Sequence, residues 1–298
     1  MARPPRRPPP RAAAPAPAPA ARPLRPPRPG EPGGDDEVER PPRRPGPQGP
    51  EGQRLYGVAA ALAVLARRPQ AILAVDHTRD AAAALAPLLA HAVARKLPVQ
   101  ERSAEVLARL AGALHHEGVC LTVKPLPLLS LRALTEHLHA GAGGRPAGAA
   151  LALDGVGNPH NLGAILRSAA YFGVRALILA DDDKQAQLTP AALRIAEGGA
   201  EYVPVARVPS LAPALRHLAD SGVTVIGTDA RAGAALGPAW PRPCVVVLGS
   251  ERHGMAPAVR AACSQLVAIP GAGVIDSLNV SVAAGILLAH LAHGATPA

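Results

Sequence analysis

The chain has 298 residues, 48% of them hydrophobic and 2% aromatic, with a formal net charge of +9. That length holds one or two domains with a sizeable core. The longest apolar run, 280–292, is too short and too interrupted for a membrane span, which excludes a membrane protein of the helical kind.

The charge is unevenly spread. Residues 1–50 hold 18 of the 35 prolines and ten arginines against five acids, a net +5 that leaves +4 for the rest. With almost no large apolar side chains, such a tail cannot offset its ordering entropy, so it reads as disordered and partly polyproline II. Its arginines are followed by no apolar stretch, unlike a secretory signal. The net positive charge suits an anionic partner, nucleic acid first. Lysine occurs only at Lys96, Lys124 and Lys184, so part of that charge is compositional drift towards arginine. Cys120, Cys244 and Cys263 lie far apart without a CxxC pair. This suits a reducing compartment and argues against a zinc or disulfide framework. A soluble cytoplasmic protein is expected.

A first small α/β module is expected over 51–124. Helical patterns cover 55–65, 79–96 and 103–114; short apolar strands fall at 71–75, 97–99 and 119–123. Arg67, Arg68, Arg95, Lys96 and Arg102 give it a basic side. The Pro- and Gly-rich stretch 125–148 reads as a linker with one short helix, 129–138. A larger module, 149–298, then repeats strands and helices. Strands are expected at 149–153, 175–180, 223–227, 245–248 and 266–269, and helices at 159–172, 190–197, 211–220, 257–263 and 279–290. The uniformly apolar run 245–248 fits a parallel strand buried on both faces. In the last helix Leu278, Val282, Ile286 and Ala289 recur at helical spacing and are expected to form its buried face.

Three strand-to-helix junctions rich in Gly, Asn and Ser stand at the carboxyl ends of expected strands, where parallel sheets bind ligands. The first runs from Asp154 to Arg167, with Asn158 and Pro159 as N-cap and first helical residue. Gly155-x-Gly157-x-x-His160 has His where a dinucleotide fingerprint needs its third Gly, so a Rossmann reading is rejected. The second, Gly249-Ser-Glu-Arg-His-Gly254, sets one carboxylate between two glycines that would let a ligand approach the backbone, and it is not a nucleophile elbow. The third crowds Ser277, Asn279 and Ser281 into a helix start. His115, His116, His160 and His253 lack metal-ligand spacing, and Asp181, Asp182 and Asp183 read as a solvated loop.

Taken in order, these junctions resemble the motifs of the SpoU (TrmH-like) RNA ribose 2′-O-methyltransferases, within the SPOUT class. Asn158, Pro159, Asn161, Gly163 and Arg167 match the first motif; Gly249, Glu251 and Gly254 the second; Ile269, Pro270, Gly273 and Ser277 to Ser281 the third. More weakly, residues 55–123 resemble the small substrate-binding domain that often precedes the catalytic one. Gly271 replaces a usual Met, and Arg252-His253 stands where smaller or acidic residues are common.

The resemblance implies a parallel-sheet domain with a trefoil knot that binds S-adenosylmethionine and pairs as a homodimer through the knotted domain, with the site near the subunit interface. By position Gly249, Ile269 and Leu278 would meet the cofactor. Arg167, Asn161, Glu251, Ser277 and Asn279 would form the catalytic set, acting on a ribose of structured RNA, rRNA or tRNA. The family gives the arginine a part in activating the 2′-hydroxyl. A guanidinium stays protonated and makes a poor base, so Arg167 is expected to grip the phosphate beside the target ribose. Asn161 is expected to bond Arg167, the ribose or the loop, and Glu251 to fix the arginine or the knot loops. Two alternatives stay open: a non-catalytic RNA-binding protein of the same fold, and a base-methylating knotted enzyme.

Overall fold

The computed structural model describes residues 52–140, 148–237 and 240–293; the tail expected over 1–50 lies outside them. The first module contains β1 (Gln53–Tyr56), α1 (Val58–Arg67), β2 (Ile72–His77), α2 (Ala86–Ala94), β3 (Val99–Glu101), α3 (Ala104–Ala111) and β4 (Val119–Val123). Its sheet runs β1-β4-β2-β3, antiparallel except for β2 with β3. The helix expected over 55–65 starts later. Gly57, at φ 101°, turns the chain after β1, and Leu55 and Tyr56 are buried strand residues. The helix expected over 79–96 is broken into a 3-10 turn at Arg79–Ala81 and α2. Pro87 lies in the first turn of α2, where its missing N–H is not needed.

The second sheet belongs to a longer series: β5 (Leu128–Leu129), α4 (Leu131–His139), β6 (Ala149–Asp154), α5 (Pro159–Tyr171), β7 (Ala176–Ala180), α6 (Pro190–Ile195), α7 (Gly199–Tyr202), β8 (Val205–Val208), α8 (Leu211–Asp220), β9 (Thr224–Thr228), β10 (Cys244–Gly249), α9 (Pro257–Arg260), β11 (Gln265–Val267) and α10 (Val280–His293). Seven strands in the order β11-β9-β10-β6-β7-β8-β5 pair in parallel throughout. The stretch expected to be a linker therefore supplies an edge strand, and Leu134 and Leu138 of α4 are fully buried. β8 was not expected; Pro204 before it and Arg207 within it break the apolar run that signals a strand.

Alternation along β6 separates two layers. Leu151 and Leu153 pack with Leu162, Ile165 and Leu166 of α5 and with Ala284, Leu287 and Leu288 of α10. Ala150 and Ala152 face Leu211, Leu215 and Leu218 of α8 and Val259 of α9. Helices thus cover both faces, as an all-parallel sheet requires. The buried face of α10 is not the expected one. Val280, Ala284, Leu287, Leu288 and Leu291 are buried, whereas Leu278, Val282 and Ile286 are 46%, 51% and 37% exposed. The helix is apolar nearly all round, so periodicity could not choose between its faces.

The first module docks on the second through a shared apolar core, Leu55, Ala60 and Val64 joining Leu193, Ala196 and Ala200, and through charge. Arg68 makes a two-pronged pair with Glu201, 2.5 Å from Nε and 2.9 Å from Nη2, with the Glu201 side chain only 2% exposed. Arg194 pairs with Glu117 at 3.2 Å, and the Arg67 guanidinium lies 5.3 Å from the Tyr202 ring centre. Arg102 binds Asp76 at 3.0 Å. Of the expected basic side, Arg68 and Arg102 are thus paired with acids and Arg67 lies over a ring, while Arg95 and Lys96 stand exposed with no acidic partner among the described residues.

Candidate active site

β6 and β10 are neighbours with Asp154 in register with Gly249, so the first two junctions leave the sheet side by side. The third leaves β11, separated from β10 by β9, and the chain returns from there to start α10. At the first junction Asn158 Oδ1 accepts the His160 N–H at 2.9 Å and Pro159 opens α5. Gly163 is set by packing. A Cβ there would lie 2.6 Å from the Ala192 carbonyl oxygen and 2.7 Å from Ile195 Cβ, so the glycine lets α5 and α6 touch.

Ser250 and Gly254 exchange backbone hydrogen bonds of 3.1 and 2.8 Å, closing a tight turn that presents Glu251, Arg252 and His253. A Cβ on Gly249 would fall 2.2 Å from the Gly254 carbonyl carbon and 2.3 Å from the Met255 nitrogen. That glycine is demanded by the loop's own backbone.

Asn279 joins the junctions. Its Oδ1 caps α10, accepting from the Ser281 N–H (3.0 Å), the Ser281 hydroxyl (2.6 Å) and the Val282 N–H (3.4 Å). Its Nδ2 donates to Glu251 Oε1 at 2.6 Å and to Asn161 Oδ1 at 3.1 Å. Asn161 Nδ2 donates to the same Glu251 oxygen at 3.1 Å, and so does the Val280 N–H at 3.1 Å. Turning either amide over would face an oxygen with an oxygen, so the network fixes both orientations. Bonds to a carboxylate are roughly twice as strong as neutral ones, and a negative charge favours the start of a helix.

Arg167 stands apart from this triangle. Its Nη1 donates to Glu197 Oε1 at 2.7 Å, and the two side chains are 59% and 47% exposed. Asn161 therefore bonds the loop partners and not the arginine, and Glu251 holds the third junction. Six residues beyond Asn161 on α5, Arg167 lies about 9 Å further along the axis and about 120° round it. Ser277 is exposed, Ile269 is half-buried against the core, and Leu278 is largely exposed.

A cleft of about 840 Å³ opens beside the triangle, and its wall includes Asp154, Gly155, Asn161, Glu251, Met255 and Val280. Gly249, Ile269, Leu278, Ser277 and Arg167 are not part of that wall. Asp154 was missed from the sequence, although an acid ending an apolar strand just before Gly155 is a usable signal. Its Oδ2 accepts the Ala256 N–H at 2.6 Å. Burial pushes its carboxyl up from the ordinary value and Asp182 adds to this, while the Ala256 bond and Lys184 oppose it. Gln185 was also missed. Buried within the loop read as solvated, it clasps the Val156 N–H and C=O at 3.3 and 3.1 Å.

Two family models match the chain: the SpoU rRNA methylase family over residues 148–289, and the RNA 2′-O ribose methyltransferase substrate-binding domain over 54–129. A relative from Photobacterium profundum named 23S rRNA (guanosine-2′-O-)-methyltransferase RlmB is 38% identical over 239 residues, covering 78% of this chain and 94% of its own. One of the same name from Acinetobacter baylyi is 37% identical over 242 residues with the same coverage. Among solved structures, an AdoMet-bound rRNA methyltransferase from Sinorhizobium meliloti superposes with a TM-score of 0.66 at 21% identity, covering 82% of this chain and 88% of its own. The SpoU methyltransferase AviRb from Streptomyces viridochromogenes, in complex with AdoMet, gives 0.65 at 21% identity over 80% and 89%. With three motifs gathered at one sheet edge and relatives matched along nearly their whole length, the chain belongs to the SpoU rRNA methylase family.

Proposed function

We propose that the protein transfers a methyl group from S-adenosylmethionine to a ribose 2′-hydroxyl of ribosomal RNA, at a guanosine as in the named activity of its relatives. The observation that carries this reading is the Asn161–Glu251–Asn279 triangle, which ties all three motifs together beside the cleft. A cleft of this size falls within the usual range for small ligands, about 300–1,000 Å³. Its wall combines loop backbone with the carboxylates of Asp154 and Glu251 and the cationic side chains of Lys184 and Arg252, a mixed set that suits a ligand carrying charges of both signs. When bound, the cofactor supplies an activated methyl, and what remains for the chain is positioning. Glu251 and Asn279 hold the second and third loops in one geometry, Asn161 adds the first, and Ser277 offers a hydroxyl at the α10 entrance. Gly249, Ile269 and Leu278 lie outside the cleft wall and are assigned to the cofactor's backbone surroundings by their motif positions alone. Arg167 binds the phosphate beside the target ribose and orients its hydroxyl. The module 51–124 carries the substrate RNA to the module 149–298.

The active form is a homodimer. One copy alone leaves Arg167 turned away from the triangle, and the exposed apolar stripe Leu278–Val282–Ile286 supports pairing through α10. The trefoil knot of the family belongs to this same reading.

The direct test is methyl transfer from labelled S-adenosylmethionine to rRNA from cells lacking this gene, followed by digestion to locate the label. Label on a ribose 2′-oxygen, lost with Arg167→Ala or Asn279→Ala, is the expected result. Label on a base would move the reading to a base methyltransferase. Absence of both transfer and cofactor binding would leave a non-catalytic RNA-binding protein.

A further inference from the structure

Glu197 belongs to none of the three motifs, yet its carboxylate is the partner that meets the motif arginine, 2.7 Å from Arg167 Nη1. Its backbone is held in the left-handed region at φ 45°, unusual for a residue with a side chain. The two glycines that follow explain why that turn is kept. A Cβ on Gly198 would fall 2.4 Å from Ala63 Cβ and 3.2 Å from the Ala59 carbonyl oxygen, both on α1 of the first module. A Cβ on Gly199 would fall 2.7 Å from the Leu166 carbonyl oxygen and 3.1 Å from Arg167 Cα, on α5 of the second. Successive glycines thus wedge the segment between the two modules. Two residues later Glu201 takes the buried pair with Arg68, and Tyr202 lies beneath Arg67. The seat of Glu197 is fixed at both ends.

We propose that Glu197 is a positioning residue that holds Arg167 in the orientation used in methyl transfer, from a seat set jointly by the substrate-binding and catalytic modules. This rests on the reading of Arg167 as a participant in the reaction. An exposed pair such as this adds little to stability, so its effect is on geometry. The carboxylate engages one edge of the guanidinium and leaves its other donors free for a phosphate.

Steady-state kinetics with rRNA substrate tests this, using Glu197→Ala, Glu197→Gln, Arg167→Ala and the double variant Glu197→Ala/Arg167→Ala. Glu197→Ala is expected to lower kcat by up to roughly 100-fold, the size of a misplaced positioning group. The KM for RNA should stay within about twofold and calorimetric cofactor affinity should not change, as for a group acting only in the transition state. Glu197→Gln, which keeps the acceptor oxygen, should lie closer to wild type than Glu197→Ala. The double variant should be no slower than Arg167→Ala alone, because the glutamate acts through the arginine. A wild-type kcat in Glu197→Ala, or losses that multiply in the double variant, overturns the proposal while leaving Arg167 its role. Normal turnover by Arg167→Ala removes that role, and this inference with it.

Discussion

Asp154 shows how one side chain reports on its surroundings. Its carboxyl is raised above the ordinary aspartate value because burial disfavours the charged form. The folded protein therefore keeps this proton to a higher pH than the unfolded chain does. As pH rises from the ordinary value through the raised one, the unfolded state gives up its proton first and the folded state loses stability. Asp154→Asn keeps an oxygen for the Ala256 N–H and removes that ionisation. The variant should be at least as stable as wild type at neutral pH in urea unfolding. Its advantage over wild type should shrink as pH falls from the raised value to the ordinary aspartate value, and change no further below it; a pH-independent difference would show that the ionisation contributes nothing. The three thiols are governed by the same effect. Burial pushes Cys120, Cys244 and Cys263 up to about 11, so they stay protonated at neutral pH and have little thiolate reactivity.

At the scale of elements, the turn after β10 depends on two glycines for different reasons. Gly249 has no room for a Cβ against the backbone of Gly254 and Met255, whereas Gly254 has open space but sits at φ 67°. Gly249→Ala must move backbone and should cost about 1–3 kcal/mol, in the range of overpacked sites. Gly254→Ala meets only the left-handed penalty, about 1–2 kcal/mol. Thermal unfolding of the two variants should rank Gly249→Ala as the less stable. Gly249→Ala should also lose cofactor affinity, since Glu251 rides on the displaced turn. Equal melting temperatures for wild type and Gly249→Ala would contradict the close approach. The sequence showed both glycines and suggested ligand approach as their purpose; the packing of the turn against itself was visible only in three dimensions.

At the scale of the whole molecule, the separation of Arg167 from the triangle leads to a prediction about assembly. If a second copy completes the site, Arg167→Ala protein mixed with Asn279→Ala protein should regain activity. Each mixed dimer would carry one intact and one doubly defective site, restoring roughly a quarter of wild-type turnover in a closed twofold pair. No recovery after subunit exchange would place Arg167 in its own chain's site. Ile286→Glu, on the exposed stripe of α10, should yield a monomer by light scattering with folding stability within about 0.5 kcal/mol of wild type, as for a surface substitution.

The sequence by itself determined the parallel α/β rhythm, the buried run of β10, the cap at Asn158 and the three motifs, because each is written in local spacing or in adjacent residues. It did not determine which face of α10 is buried, since a helix apolar all round carries no directional signal. Nor did it reveal the strand inside the apparent linker, where two residues gain their role only by pairing with β8. Tertiary structure alone decided that Glu251 gathers Asn161, Asn279 and Val280 on one oxygen. It also decided that Arg167 faces Glu197, and that Arg68 is committed to Glu201 in place of an open basic face. These partners lie 28 to 133 residues apart in sequence, so only the packing of the modules brings them within hydrogen-bonding distance.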